Sequence, residues 1–387
     1  DGFETEMTLQ RERARKAGDF DSKKSTITIE NSTEFLGYEQ FNNSAIISAI
    51  IKDNKSVDSL NEGEQAIIVI DKSSFYGESG GQSGDHGTLS KNGAQFTVTD
   101  TQKQASNAFE HHGIQAKGML QVGDAVEASI DQDRRKKIMN NHSATHLLHE
   151  ALRQVLGDQV NQKGSLVESE KLRFDFSHDE VVSRANLDKV EVIVNEQILG
   201  NTQVITEETD IKTAKKKGAM ALFGEKYGDM VRVLSMGDDN FSVELCGGTH
   251  VKRLGDIGRF KVISESGIAA GVRRIEAVTG IDAYQLDKKN ENTLSRIASL
   301  TKSSNSMALD KVKQLISNQK NLEKQIAVFQ KQLASVQGDS LLSKVIEVKS
   351  VKILATEVKG IPAKDLRDLA DKLKDKLGSA IVVLAVV

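Results

Sequence analysis

His142 and His146 stand four residues apart in Asn141-His-Ser-Ala-Thr-His-Leu-Leu-His149, a spacing that puts two imidazoles on one helix face about one turn apart. Imidazoles so placed can chelate a metal ion. The residues between them are Ser143, Ala144 and Thr145, so the glutamate of a His-Glu-x-x-His peptidase is missing and peptidase chemistry is disfavoured. His149 falls on the same stripe and is a rival ligand. The only cysteine of the chain opens Cys246-Gly-Gly-Thr-His250, where two glycines let the backbone turn tightly enough for thiolate and imidazole to converge. Two histidines from a helix, with a cysteine and a histidine from a glycine turn, make a nitrogen and sulfur set whose preferred tetrahedral ion is Zn2+. The expected ligands are His142, His146, Cys246 and His250. The competing account, an inert buried cysteine beside a surface histidine, leaves Gly247 and Gly248 unexplained.

A second feature is Gly77-Glu-Ser-Gly-Gly-Gln-Ser-Gly-Asp-His-Gly87, whose five glycines allow a backbone to approach a ligand closely. It lacks the Gly-Lys-Ser/Thr ending of a Walker loop and is no Rossmann fingerprint, so it gives no support to nucleotide hydrolysis; a hairpin rich in positive φ angles is the plain alternative. Arg134, Arg135, Lys136 and Lys137 occupy the first turns of the histidine helix, where the helix dipole opposes cations. A phosphate backbone near the metal site would use such charges, as would Arg273, Arg274 and the Lys215 to Lys217 run, although ordinary solvated charge accounts for each equally well.

The elements that must position these residues follow from periodicity. Residues 1–24 are rich in Arg, Glu and Ala and suggest a helical connector. From 25 to 130, short β-favouring runs such as Thr26 to Ile29, Ala45 to Ile51 and Ala125 to Ile130 alternate with Gly, Asn and Asp clusters, the pattern of a small barrel or sandwich. Asp131 offers an N-cap and Gly157 a stop to a helix of about 25 residues that carries the histidines. Strand-like and helix-like runs then mix to residue 282, giving an α+β core over 131–282. In 283–338, Ala308, Val312, Leu315, Gln319, Leu322, Ile326, Phe329, Leu333 and Val336 alternate by four and three, the seam of a coiled coil or of a helical hairpin packed on 283–300. The last segment, 339–387, reads as the beginning of an α/β domain.

Composition bounds the function. The chain has 387 residues, 38% of them hydrophobic and 28% charged, which suits a soluble protein of two to three domains. Lys and Arg number 52 against 55 Asp and Glu, a net charge of −3, so a polybasic coat is excluded and any nucleic acid must be held by local clusters. A single cysteine forbids an intramolecular disulfide and suits a reducing compartment. No apolar run approaches the roughly 20 residues of a membrane span. The opening without Met and the apolar stop at Ile381 to Val387 are expected of an internal segment of a longer protein.

Together these motifs resemble the alanyl-tRNA synthetases, in their post-transfer editing region and the start of their C-terminal domain. The resemblance is carried by Phe75 to Gln82, Asn141 to His149, Gln162-Lys-Gly-Ser165, Arg173 to Ser177, Gly218 to Glu225, Cys246 to His250 and Gly271 to Glu276, in the family's order. It implies an α+β fold: a small β-barrel-like domain, a zinc-containing editing domain, a helical hairpin and a truncated α/β domain for tRNA binding and oligomerisation. It implies hydrolysis of Ser-tRNA(Ala) and Gly-tRNA(Ala) in the cytoplasm, with Zn2+ on the four ligands. It makes Thr145 and Gln162 catalytic or substrate-discriminating, Gly80, Gly81 and Gln82 a substrate-binding loop, and Arg134, Arg135, Arg273 and Arg274 tRNA contacts. The parent would be an ATP-dependent ligase of protein biosynthesis whose aminoacylation site lies upstream; tRNA(Ala) is the expected partner, with a homo-oligomer possible and neither DNA nor membrane involved. A stand-alone editing protein is the rival identity. A tRNA-binding module in which zinc only staples helix to loop is the rival function.

Overall fold

The computed structural model describes residues 32–220, 228–359 and 366–386. The connector expected over 1–24, the run Thr26 to Ile29 and most of the Gly218 to Glu225 motif lie outside the described residues. The chain divides between Asp287 and Lys288 into two compact units.

In the first unit the alternating runs form a closed barrel. Its six antiparallel strands run in the order Asn42–Lys52, Gln65–Ile70, Phe109–Lys117, Ala94–Lys103, Gly87–Lys91 and Ala125–Ile130, and the last pairs back onto the first from Ala125↔Ile46 to Ser129↔Asn42. Closure removes the free edges a sandwich would leave. Ala45 and Ile47, and Ile68 and Ile70, point inward at period two, and with Ile50, which follows a bulge after Ile47, and Leu89 and Phe96 they fill the interior.

The histidine helix, α1 (Gln132–Leu156), starts and stops where its sequence says. The Asp131 side chain accepts from Arg134 N at 3.0 Å, and Gly157, at φ 114°, lets the chain leave the helix. Its apolar side, Leu147, Leu148, Ala151 and Leu152, packs into one core with α2 (Arg184–Gly200) and a four-stranded antiparallel sheet ordered Gln162–Val167, Leu172–Ser177, Val272–Thr279, Phe260–Ala269. A second sheet orders Ile205–Asp210, Met230–Met236 and Ser242–Leu245, with α3 (Ile211–Lys216) after its first strand. The glycine-rich loop ties the barrel to this core: Val167 N donates to Gly81 O at 2.7 Å and Ser83 N to Val167 O at 3.0 Å. A Cβ on Gly81, which sits at φ 83°, would come within 2.6 Å of Ser165 O, so the approach requires glycine.

Helix α4 (Gly280–Leu300) begins in the first unit. In the second, α5 (Ala308–Leu341) carries the heptad, and Val351–Val358, α6 (Leu366–Leu377) and Ala380–Val386 make a β-α-β unit with parallel strands, flanked by the antiparallel strand Ile346–Val348. Leu341, Leu354, Val358, Leu369 and Leu373 form its core. The expectation that the heptad seam packs on 283–300 is not met. Leu315, Phe329 and Val336 are 47%, 64% and 68% exposed, and Leu322, Ile326 and Leu333 are exposed with them. The other helix is polar over 288–293, and its apolar residues Leu294, Ile297 and Leu300 are exposed as well, so they do not receive the knobs. No helix among the described residues is long and apolar enough to cross a membrane.

Candidate metal centre

One donor atom from each of His142, His146, Cys246 and His250 lies within 4.8 Å of the others, and all four residues are buried. Helix α1 supplies the first two. The strand Ser242–Leu245 delivers Cys246 at its end, where Cys246 N donates to Arg232 O at 3.1 Å, and the turn that follows returns His250 to the cysteine. Cys246 Sγ is 3.5 Å from His142 Nε2 and 3.3 Å from His250 Nε2, and Gly248 N donates to it at 3.4 Å. Gly248 has to be glycine, because a Cβ there would stand 2.1 Å from His142 Cε1.

Each imidazole is held from behind through Nδ1. His142 Nδ1 lies 2.8 Å from Gln82 Oε1, His146 Nδ1 2.7 Å from Glu244 Oε2, and His250 Nδ1 3.2 Å from Ser143 Oγ. A neutral ring that donates through Nδ1 presents a bare Nε2 on its other side. His146 Nε2 is buried without a protein partner, an orphaned ring nitrogen that, in the neutral ring, a metal ion in the cluster would satisfy. Burial raises the Cys246 thiol, yet the charges of His142, His250 and His146 outweigh it and hold the thiol well below its ordinary value. Burial likewise raises Glu244, but the His146 charge and the hydrogen bonds from His146 and His149 bring it down to about 2. A low thiol and three oriented imidazoles fit a Zn2+ ion, and their supported Nδ1 atoms are the usual second half of such a site.

The other site residues are placed as follows. His149, the rival ligand, lies outside the four-donor group and turns Nδ1 to Glu244 Oε1 at 2.9 Å. Thr145 is buried and donates its hydroxyl to Asn141 O at 2.8 Å. Gln162 heads its strand, half-buried. Gly80 is exposed, but Gln82 is fully buried: Oε1 accepts from Thr249 N and His142, and Nε2 donates to Thr249 Oγ1 at 2.9 Å. Its amide thus serves the Cys246 to His250 turn from behind.

Arg135 as a tRNA contact is corrected. It is 0% exposed, its Nε reaches Asp85 Oδ1 at 3.0 Å and Oδ2 at 2.9 Å, Nη1 donates to Gly37 O, and Nη2 donates to Ser74 O and to Asp85 Oδ2. Arg135 stands seven residues, two helix turns, before His142 and so shares its buried face. Arg273 and Arg274 are tied to Glu265 at 2.6 Å and Asp175 at 2.7 Å, bonds a phosphate would have to displace. Arg134 is half-buried and donates to Gly84 O at 2.8 Å.

Sequence reasoning missed Glu244, Ser143, Tyr38 and Arg232. Tyr38 donates its hydroxyl to Gly247 O at 2.7 Å, and Arg232 lies 4.2 Å over the Tyr38 ring while its Nη1 donates to Cys246 O and Gly248 O. Both line a cavity of about 630 Å³ that also touches Thr249, His250, Thr206 and Glu208. The nearest signal was alternation: Glu244 is two residues before Cys246 on the same face of its strand.

Relatives share this whole stretch. An alanine--tRNA ligase of Ruthia magnifica subsp. Calyptogena magnifica is 59% identical over 386 residues, covering 100% of this chain and 45% of the relative. The chain belongs to the alanyl-tRNA synthetase family. The alanine--tRNA ligases of Saccharophagus degradans and Pseudomonas entomophila are 52% and 51% identical over 386 and 384 residues, 100% and 99% of this chain and 44% of each relative. The chain therefore spans less than half the length of these relatives. Family models match twice: class II (A) tRNA synthetases over residues 1–134, and the second additional domain of threonyl and alanyl tRNA synthetases over 231–276. The second match contains Arg232, Glu244, Cys246 and His250.

Proposed function

We propose that this chain is the post-transfer editing segment of an alanine--tRNA ligase and hydrolyses the ester of tRNA(Ala) mischarged with serine or glycine. The observation that carries the reading is the buried His142, His146, Cys246 and His250 cluster, with Thr249 and His250 lining an adjacent cavity. An alanine-sized activation pocket rejects larger side chains by sterics, but glycine fits it and serine adds only a hydroxyl, so a second sieve is chemically required. A Zn2+ ion on the four ligands would supply Lewis acidity toward the ester.

The chain's own residues do the rest. Gln82 and Glu244 hold His142 and His146 in place, and Tyr38 with Arg232 fixes the turn that carries Cys246 and His250. Thr145 spends its proton on Asn141 O, so its oxygen is free to accept from the hydroxyl of a serine substrate. Gln162 would orient that substrate or water through its amide. Arg134 with Lys136 and Lys137 would meet the tRNA backbone, and the exposed heptad of α5 would join two copies. Attachment of alanine with ATP, and a cytoplasmic setting, belong to the whole ligase.

A second reading is favoured by the count of donors. Four protein ligands normally close a zinc site, as in a structural staple, and the segment would then bind tRNA without cutting it. Incubation of the purified chain with Ser-tRNA(Ala) separates the two. Deacylation above the spontaneous rate, lost with zinc in Cys246→Ala, supports editing; tRNA binding with an ester that decays at the spontaneous rate leaves the staple.

A further inference from the structure

Glu244 gives one carboxylate to two imidazoles. It is 1% exposed on the strand Ser242–Leu245, with Oε2 on His146 Nδ1 at 2.7 Å and Oε1 on His149 Nδ1 at 2.9 Å. An ionised carboxylate only accepts, so each ring must donate from Nδ1, and in the neutral form that a metal ion requires the lone pair is then on Nε2. Both Nε2 atoms are buried and meet no protein partner, but only His146 belongs to the four-donor group. The other tautomer of His146, with its proton on Nε2, would lose the bond to Glu244 and point that proton at the cluster. His149 does not reach the cluster, yet it occupies the carboxylate oxygen that His146 leaves free, and its ring is braced against Phe174 at 5.2 Å.

We infer that Glu244 is the positioning residue of the metal centre, holding His146 in the form that offers Nε2 to the ion, and that His149 acts only by pinning Glu244. This rests on the reading of His142, His146, Cys246 and His250 as a metal site. Partners of this kind change metal affinity without touching the ion.

The test is a Zn2+ titration of the metal-stripped whole chain against a chromophoric chelator, near neutral pH. The wild type should take one equivalent, and Glu244→Gln should bind about 10- to 100-fold more weakly. At saturating Zn2+ its near-UV circular dichroism should coincide with that of the wild type, because the ion restores the ring orientation that the carboxylate sets. His149→Gln should weaken binding in the wild-type background and add nothing in the Glu244→Gln background. Glu244→Asp, which keeps the charge but withdraws it by one methylene, should also bind more weakly and serves if the glutamine variant does not fold. Unchanged affinity in both Glu244 variants overturns the assignment. An equal loss from His149→Gln in both backgrounds overturns the indirect role and makes His149 a ligand. A wild-type chain that takes up no Zn2+ overturns the metal reading beneath both.

Discussion

Replacing Gly248 by alanine tests whether the Cys246 to His250 turn is shaped around His142. The added Cβ would lie 2.1 Å from His142 Cε1, 2.5 Å from His142 Nδ1 and 2.9 Å from Gln82 Oε1, where carbon contacts settle at about 3.5–4.0 Å. Ring or turn must therefore move by more than about 1 Å. The ring has no easy exit, since Nδ1 is held by Gln82 at 2.8 Å and Nε2 faces Cys246 at 3.5 Å. Metal distances tolerate only about 0.2 Å. Gly248→Ala should thus cost about 1–3 kcal/mol of stability by overpacking and weaken Zn2+ binding at least about tenfold. Gly247→Ala is the control, because nothing lies within 4 Å of its added Cβ. It should be neutral, or more stable by up to about 1 kcal/mol through the unfolded chain. Thermal melts and chelator competition on both variants decide the matter. If Gly248→Ala melts and binds Zn2+ as Gly247→Ala does, the turn is not packed on His142 and the reasoning fails.

Arg135→Leu leaves Asp85 charged and buried, so it should destabilise the first unit by about 3–5 kcal/mol in urea, whereas a surface arginine would cost almost nothing. Burial pushes His111 down to about 4 against the pull of the Ile68 carbonyl, below the 6.5 of the unfolded chain. The unfolded state then takes up the proton first, so the His111 contribution is complete above pH 6.5 and about 3 kcal/mol is lost as pH falls from 6.5 to about 4. Urea midpoints across that window should fall less steeply in His111→Gln, and parallel curves would remove the assignment. Thr145→Val, with zinc content checked, should slow hydrolysis of Ser-tRNA(Ala) about two- to twelvefold more than that of Gly-tRNA(Ala), the worth of one neutral hydrogen bond. Equal slowing of both substrates would leave Thr145 only its bond to Asn141.

What the sequence disclosed was local. His142 and His146 are legible because one helix turn converts a spacing of four into a shared face, and Cys246 and His250 because a glycine turn brings chain neighbours together. The barrel was legible as alternation, but its closure, Ala125–Ile130 onto Asn42–Lys52, pairs strands more than seventy residues apart and leaves no mark at either. The exposed seam of α5 shows the converse. A heptad declares that a helix wants a partner and is silent about which one.

The support of the metal centre belongs to the same hidden class. Gln82, Glu244 and Ser143 reach their histidines across 60, 98 and 107 residues, so no window of sequence contains both members of any pair. Their separation has a physical consequence. Gln82 comes from the barrel's glycine loop, whose backbone is hydrogen-bonded to Val167, and the same amide oxygen accepts from Thr249 N. The first unit thus cannot release its barrel without freeing both His142 and the turn that bears Cys246 and His250. Loss of barrel docking and loss of ligand orientation are one event, and Arg135, which reads as a nucleic-acid contact, instead joins α1 to Asp85 at the root of that loop.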